Sequence, residues 1–219
     1  MNLASPALTP ETLSFMSPVR LQVLVQTVLK QAVFAVFLNT TYLCSQSIIL
    51  DHRSDNTYVY DLRNLIAQAG LDISLINEFY LVNGPGFFTG IRSGVIMSKA
   101  IYQLKKPKMF LVSTFSYLSA HLNPRPEHYG ILICGSQREG YYQEYRAQEK
   151  GEATIISYKT AQEKAKQFSI YTDHMEYSIQ WGLRYLPAQA VFPLEYKEIK
   201  EISDLLPNYL RQEDDLFRS

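Results

Sequence analysis

The chain has 219 residues, of which 47% are hydrophobic and 19% charged, and its formal net charge is zero. This composition excludes an intrinsically disordered protein, and the balanced charge creates no overall field that would attract nucleic acid or an anionic membrane. The length is sufficient for a sizeable core, in one domain or in two small lobes.

The beginning of the chain does not have the features of a secretory signal peptide. Residues 1–18 lack a basic start and a continuous apolar segment, so we expect a loose extension and a cytoplasmic protein. Cys44 and Cys134 lie in apolar stretches, which is typical of buried thiols in a reducing compartment rather than of a disulfide. The longest apolar run, 32–38, is too short to span a bilayer, and we expect no membrane association.

The first half of the chain predicts three strands, a helix, a strand and a second helix. Apolar, β-branched runs at 21–28, 32–38 and 43–50 indicate a strand meander. A helix is expected to start near Asp55/Asn56 and end at Gly70, because apolar residues recur at helical spacing. This stripe consists of Tyr58, Leu62, Leu65, Ile66 and Ala69. A buried strand at 78–82, a glycine-rich loop and a helix over 89–104 follow.

The second half resembles a looser copy of the first. Strands are predicted at 130–135, 140–147 and 153–157, followed by a helix at 160–167 and a strand at 168–172. The segment Asn123-Pro124-Arg125-Pro126 marks the break between the halves. We therefore predict an α/β protein with two similarly wired lobes, at 19–122 and 123–219.

The stretch 82–94, which joins the strand at 78–82 to the helix at 89–104, contains four of the ten glycines in the chain. It could cradle a phosphate at a helix N-terminus, or it could allow close packing. The loop matches neither of the two standard glycine fingerprints of nucleotide-binding proteins. Within the helix, Gly90, Gly94 and Ser98 form a smooth row, which favours close packing over phosphate binding.

No local pattern of catalytic or metal-binding residues is present. The four histidines form no His-x-x-x-His pair, and Gly-x-Ser-x-Gly is absent, so we assign no catalytic, cofactor-binding or metal-binding residue. The tyrosines at 141, 142 and 145 could stack on bases, but alternation along a half-buried strand explains them more simply. The basic stretch 92–108 could complement a helix end, or it could contact an acidic partner or RNA.

The glycine loop carries a resemblance to a known family. Gly84-Pro85-Gly86-Phe87-Phe88-Thr89-Gly90-Ile91-Arg92-Ser93-Gly94 resembles the Gly-Pro-Gly-Ser-Phe-Thr-Gly-(Val/Ile/Leu)-Arg-x-Gly segment of the TsaB (YeaZ) family. Supporting matches are Val112-Ser113-Thr114, Arg138-Glu139-Gly140-Tyr141-Tyr142 and Pro207-Asn208-Tyr209-Leu210-Arg211. The resemblance implies an actin-like, sugar-kinase-like ATPase (ASKHA) fold. It also implies that Gly84, Pro85, Gly86, Thr89, Gly90 and Arg92 form a structural loop.

Two departures from the family pattern bear on catalysis. Where family members commonly read Asp-Thr-Ser, this chain has Gln26-Thr27-Val28, and Asp-Ala-Arg is replaced by Cys134-Gly135-Ser136. Gln and Cys are poor ligands for Mg²⁺, so independent ATP hydrolysis is not expected. The sequence thus predicts a protein without a cofactor and without its own enzymatic activity.

The resemblance implies an accessory, scaffolding subunit of the complex that makes threonylcarbamoyladenosine in tRNA. Its expected partner is a TsaD-like catalytic subunit, with a TsaE-like ATPase in the same complex and tRNA contacted only indirectly. A homodimer is expected when the chain is alone. The alternative is an actin-like-fold enzyme, either a kinase or a peptidase-like hydrolase, with its own nucleotide site.

The expected partner surface lies on the two helices of the first lobe, because their outer faces carry few charges. The other interpretation is that a lid or the C-terminal segment of the same chain covers these faces. The predicted interface residues are Tyr58, Val59, Leu62, Gly90, Gly94, Met97, Ser98 and Ile101.

Overall fold

The computed structural model describes residues 19–49, 58–147 and 149–210. Three sequence-based expectations concern other parts of the chain. The extension at 1–18, the start of the first helix near Asp55/Asn56 and the end of the C-terminal motif at Arg211 lie outside the described residues.

The first lobe begins with three antiparallel strands and continues with alternating helices and strands. A short 3₁₀ turn, Ile73–Leu75, precedes the fourth strand. In chain order the elements are β1 (Leu21–Gln26), β2 (Gln31–Leu38), β3 (Thr41–Ile49), α1 (Tyr58–Gln68), β4 (Ile76–Val82), α2 (Phe88–Lys105), β5 (Lys108–Val112) and α3 (Thr114–Ser119).

The second lobe follows the same plan with shorter elements. Its elements are β6 (His128–Cys134), β7 (Glu139–Arg146), β8 (Glu149–Lys150), β9 (Thr154–Ser157), α4 (Tyr158–Ala165), β10 (Ser169–Thr172), α5 (Met175–Trp181) and β11 (Arg184–Tyr185). A final strand, β12 (Lys197–Ile199), and a 3₁₀ turn at Ile202–Asp204 complete the described chain.

The two sheets have the same wiring. In the described residues, the first sheet has the order β12-β5-β4-β1-β2-β3 and the second has β11-β10-β6-β7, with β8 and β9 both paired to β7. In each lobe the first strand pairs antiparallel with the second strand and parallel with the strand that follows the lobe's first helix, which is β4 after α1 and β10 after α4. The prediction of an α/β fold with two similarly wired lobes is confirmed.

The central strands of the first sheet are buried on both faces, which explains their continuous apolar sequences. One core forms where α1 and α2 cover the sheet, and the other lies on the opposite face, towards the second lobe. The predicted stripe of α1 faces the first of these cores, with Tyr58, Leu62, Leu65 and Ile66 all buried. No helix in these three described ranges is long and apolar enough to cross a membrane.

The sequence-based range 123–219 assigned the last part of the chain to the second lobe. In the structure, the described part of this segment returns to the first lobe. β12 pairs antiparallel with β5 and thereby extends the first sheet. Ahead of it, Phe192 and Tyr196 pack edge-on against the ring of Tyr80, at 5.1 Å between centroids in both cases. The second lobe therefore gives its C-terminal segment to the first, and this segment ties the two lobes together.

The second lobe contains one partly buried ionic cluster, centred on Glu144. Its carboxylate accepts hydrogen bonds from Lys164 and Tyr142, both at 3.0 Å, and lies 3.0 Å from His128 and 2.8 Å from Arg146. Burial by itself raises the pKa of Glu144, but these hydrogen bonds together lower it to about 2. The cluster joins β6, β7 and α4.

We expect Glu144→Gln to destabilise the protein by about 1–3 kcal/mol at neutral pH. Because the pKa is lower in the folded than in the unfolded state, the stabilisation is complete above the unfolded value and is lost as the pH falls towards 2. Urea unfolding of both proteins between pH 7 and pH 2 measures this. Glu163→Gln, in an exposed pair with Lys166, is the matched control and should change stability far less. A Glu144→Gln effect that does not depend on pH would contradict the assignment.

Candidate functional site

The glycine row of α2 packs against the turn that follows β1. An added Cβ at Gly86 would overlap the carbonyl oxygen of Val28, and one at Gly90 would overlap that of Thr27. A Cβ at Gly94 would lie 2.6 Å from the Thr27 hydroxyl oxygen. Only glycine permits this approach, so the row serves close packing, and the element that approaches belongs to the same chain.

Hydrogen bonds fix the same contact. The Thr27 hydroxyl donates to the carbonyl of Gly90 at 2.7 Å, and the amide of Phe87 donates to the carbonyl of Val28 at 2.8 Å. Both Thr27 and Val28 are fully buried. The turn after β1 is therefore locked onto the start of α2 through its backbone and its hydroxyl.

Gln26 is used inside the turn between β1 and β2. Its side-chain amide donates to the carbonyl of Gln31 at 2.8 Å, and its side-chain oxygen accepts from the amide of Leu29 at 3.0 Å. The residue is fully buried. Gln26 occupies the position at which the TsaB (YeaZ) pattern has Asp. Both the amide nitrogen and the amide oxygen of its side chain bind the backbone of the turn.

The C-terminal segment covers the other side of the glycine loop. The backbone amide of Asn208 donates to the carbonyl oxygen of Asn83 at 2.9 Å. The side-chain amide of Asn208 donates to the carbonyl oxygen of Gly84 at 3.4 Å. Gly84 has a φ of 121°, and an added Cβ there would overlap the carbonyl oxygen of Asn208. The rings of Phe88 and Tyr209 stack at 5.0 Å, and the Arg92 guanidinium lies 4.0 Å from the Phe88 ring centroid.

The outward face of α2 differs from the predicted one. Met97 and Ile101 are buried in the core of the first lobe, where they help to cover the sheet. The outward residues of this helix are instead Ile96 and Leu104, which are 68% and 67% exposed, with Ala100 between them. The prediction that Met97 and Ile101 face outward is wrong, because both side chains belong to the stripe of α2 that covers the sheet.

Five of the other predicted interface residues are also buried rather than exposed. Gly90, Gly94 and Ser98 of α2 and Tyr58 and Leu62 of α1 are buried in the protein's own packing.

Val59 is 40% exposed on α1, and its neighbour Tyr60 is 65% exposed. An apolar outer surface does exist on the two helices, and we call Val59, Tyr60, Ile96, Ala100 and Leu104 the outer face. Exposed large apolar side chains on two helices that pack on the same sheet are typical of a protein–protein contact.

The second lobe places a buried carboxyl at the position that corresponds to the glycine loop. Asp173 follows β10, as Asn83 and Gly84 follow β4, and in each case the strand lies beside the first strand of its lobe. Asp173 is 8% exposed, and its Oδ1 atom has no hydrogen-bond partner among the described residues. Sequence reasoning missed this residue. An acid directly after an apolar strand in the duplicated pattern was the signal that could have found it.

Burial controls the ionisation of Asp173. Desolvation raises its pKa to about 6, while backbone hydrogen bonds from Cys134 and from Asp173 itself and the charge of Lys30 act in the opposite direction. The neighbouring His174 has a lowered pKa, chiefly through burial, and its ring stacks on Tyr177 at 4.2 Å. Across residues 19–49, 58–147 and 149–210, no three His, Cys, Asp or Glu side chains come together in a way that could hold a metal ion.

Known structures share this fold. YeaZ from Pseudomonas aeruginosa superposes with a TM-score of 0.66 and 17% identity, covering 87% of this chain and all of that one. An uncharacterised protein with similarity to peptidase YeaZ from Pseudomonas aeruginosa gives 0.65 and 16%, covering 88% and 100%. No protein-family model and no curated protein matches the sequence. The likeness establishes an actin-like ATPase fold for this chain, as the sequence predicted.

We expect Gly90→Ala to destabilise the protein by about 1–3 kcal/mol, because the new Cβ would overlap the carbonyl oxygen of Thr27. In an unconstrained helix, the same change stabilises by about 1 kcal/mol, so the sign of the effect is diagnostic. Thermal and urea unfolding measure it. Ala100→Gly on the exposed side of α2 is the control and should lose only the helix-propensity difference. A more stable Gly90→Ala protein would rule out the tight contact.

We compare the free energy of unfolding of Asp173→Asn with that of the unsubstituted protein. The difference is expected to shift in favour of the variant by up to about 3 kcal/mol between pH 4 and pH 8. Because the pKa of Asp173 is higher in the folded state, ionisation destabilises the fold as the pH rises from 3.8 through about 6. The other ionisable groups near Asp173 are Lys30, Cys134, His174 and Glu176. Parallel unfolding curves across this pH range measure the difference, and a constant difference would contradict the raised pKa.

Proposed function

We propose that this chain is a TsaB-type accessory subunit of the machinery that makes threonylcarbamoyladenosine in tRNA. The observation that carries this is the coincidence of a YeaZ-like fold over nearly the whole chain with a glycine loop that is filled by the protein's own packing. The fold alone is shared by proteins of many functions, so the state of the loop is the observation that supports the accessory role.

The closed turn after β1 supports a non-catalytic role. In an enzyme that holds a nucleotide by such a turn, side chains and amides must be free to meet phosphate and Mg²⁺. In this chain Gln26 binds the backbone of its own turn, and Thr27 binds Gly90. These groups would have to break buried hydrogen bonds before they could serve a ligand, which costs about 1–3 kcal/mol for each group left unsatisfied.

The outer face is the surface that we assign to the partner. α2 has 18 residues and is therefore about 27 Å long, and Ile96, Ala100 and Leu104 recur along it at four-residue spacing. The small side chain of Ala100 between two larger ones suits close helix–helix packing. Val59 and Tyr60 extend the same apolar character onto α1. A pair of helices from another subunit would complete a four-helix arrangement.

The partner that follows from the resemblance is a TsaD-like catalytic subunit, with a TsaE-like ATPase in the same complex and tRNA contacted only indirectly. In the absence of that partner, the same outer face would form a homodimer. A cytoplasmic location is part of this proposal and is supported by the two free thiols, Cys44 and Cys134. The basic stretch 92–108 does not enter the proposal.

The alternative is an actin-like-fold kinase or hydrolase, and no observation favours it over the accessory role. Isothermal titration calorimetry with ATP and Mg²⁺, together with an assay for phosphate release, separates the two. Micromolar binding with turnover by the isolated chain would support the enzyme and contradict the accessory role.

Two substitutions on opposite sides of α2 test the partner surface. We expect Ile96→Asp to leave the melting temperature nearly unchanged, because the side chain is 68% exposed, and to abolish co-purification with a co-expressed TsaD-like subunit. Ile101→Asp should instead unfold the first lobe, since it places a charge in a fully buried position.

Leu104→Asp is a second test of the outer face, and Lys159→Gln on the exposed side of α4 is the negative control. Pull-down and analytical ultracentrifugation report heteromer and homodimer separately. A complex that survives both Ile96→Asp and Leu104→Asp would place the interface on another surface.

A further inference from the structure

The described chain ends beside the start of α2. The ring of Tyr209 stacks on that of Phe88, and Leu210 lines the same small cavity as Gly86 and Phe88. The next nine residues, 211–219, read Arg-Gln-Glu-Asp-Asp-Leu-Phe-Arg-Ser and follow directly from this point. We call these residues the tail. Whatever path it takes, the tail is anchored at the N-terminal end of α2.

Phe88 is the first member of a row of side chains that runs along α2. At four-residue spacing the row continues through Arg92, Ile96, Ala100 and Leu104. Residues four apart are neighbours on the surface of a helix, so these side chains form one continuous ridge. The last three belong to the outer face and are exposed. The packing of the C-terminal segment on Phe88 therefore stops where the exposed part of the ridge begins.

The tail is long enough to cover this ridge. An α-helix rises about 1.5 Å per residue, so Leu104 lies about 24 Å along α2 from Phe88. Leu216 and Phe217 come six and seven residues after the last described residue. An extended chain spans at most about 3.3–3.6 Å per residue, which gives these two side chains a reach of about 20–25 Å. They can therefore contact any part of the outer face on α2.

The charges of the tail and of α2 are complementary. The helix contains three basic residues, Arg92, Lys99 and Lys105, and no acidic residue. Its N-cap residue, Phe87, makes no side-chain capping hydrogen bond, and the positive end of the helix dipole favours a nearby anion. Three consecutive acidic residues at 213–215 follow the anchor point and precede the two apolar side chains of the tail. The acidic run thus comes first, where the helix is most positive, and the apolar pair comes second, where the ridge is apolar.

We propose that the tail folds back along α2 of the same chain and covers the outer face. Leu216 and Phe217 pack against Ile96 and Ala100, and the acidic run lies beside the N-terminal half of the helix. The tail is the occupant that the geometry favours, because it is attached at one end of the ridge. An attached segment is present at an effective concentration on the order of millimolar, so a weak contact forms unless a tighter partner displaces it.

The consequence of this contact for assembly rests on the proposed function. A partner subunit that binds the outer face has to displace the tail, because both use the same side chains. The contact within the chain does not require that partner. The contact and its consequence are therefore measured separately.

Paramagnetic relaxation in the full-length chain tests the contact. Ser219→Cys carries a nitroxide label in a Cys44→Ser background, because the Cys44 thiol is partly exposed whereas Cys134 is buried. We expect the backbone amide signals of residues 96–104 to be lost and those of α4, in the second lobe, to remain. Replacing both Leu216 and Phe217 by serine should restore the lost signals. Arg218→Gln is the matched control, since it changes the tail but keeps both apolar side chains.

Three results would overturn the contact. The first is that the signals of residues 96–104 remain, and the second is that their loss persists in the variant with serine at both apolar positions. The third comes from a mixture of nitroxide-labelled chains without isotope and isotope-labelled chains without nitroxide. Signal loss as strong in this mixture as within one chain would place the tail on a second copy instead.

The same double serine variant measures the consequence for assembly. We expect it to bind a TsaD-like subunit about tenfold more tightly than the unsubstituted chain, as when the outer face is open in about one molecule in ten. Equal affinity would contradict the competition. If neither chain binds that subunit, the proposed function fails, whereas the nitroxide measurement still decides whether the tail covers the outer face.

Discussion

The contact between the turn after β1 and the glycine row of α2 is the constraint on which the rest of the first lobe depends. With Gly86 and Gly90 lying directly against the backbone of Thr27 and Val28, α2 can sit close enough to the sheet to bury Met97 and Ile101. That depth fixes the rotation of the helix, and the rotation leaves Ile96, Ala100 and Leu104 on the outside. The same contact engages the hydroxyl of Thr27 and the carbonyl of Val28 in hydrogen bonds to Gly90 and Phe87.

The duplicated wiring lets the two lobes be compared position by position. After β4 the chain turns through Gly84, and the C-terminal segment closes over it through Asn208. After β10 the corresponding position is Asp173, with an unpartnered buried oxygen beside an open cavity. One topology therefore supplies a loop closed by the C-terminal segment in one lobe and a buried carboxyl group in the other. The difference lies in side chains and in the path of the C-terminus, because the strand order is the same.

Sequence patterns predicted the strong elements well and failed where tertiary contacts decide. The strands at 21–26, 31–38 and 76–82 and both long helices carry clear periodicity, and the structure forms them within a few residues of the predicted bounds. β12 has three residues and no pattern of its own, and it exists because β5 offers a free edge. α5 was likewise missed, since seven residues carry too little periodicity to separate a helix from a loop.

The sequence by itself determined the architecture: an α/β protein with two similarly wired lobes, a strand-to-helix glycine loop and no local motif for catalysis. These follow from periodicity, from glycine placement and from residue types, which are local properties of the chain. Only the tertiary structure decided which face of α2 is covered, that the C-terminal segment returns to the first lobe, and that Asp173 lies buried at a cavity. The physical reason is that a helix with apolar residues on most sides has no preferred inner face until a neighbour approaches. Here the neighbour is the backbone of Thr27 and Val28, which packs against Gly90 although more than sixty residues separate them in sequence.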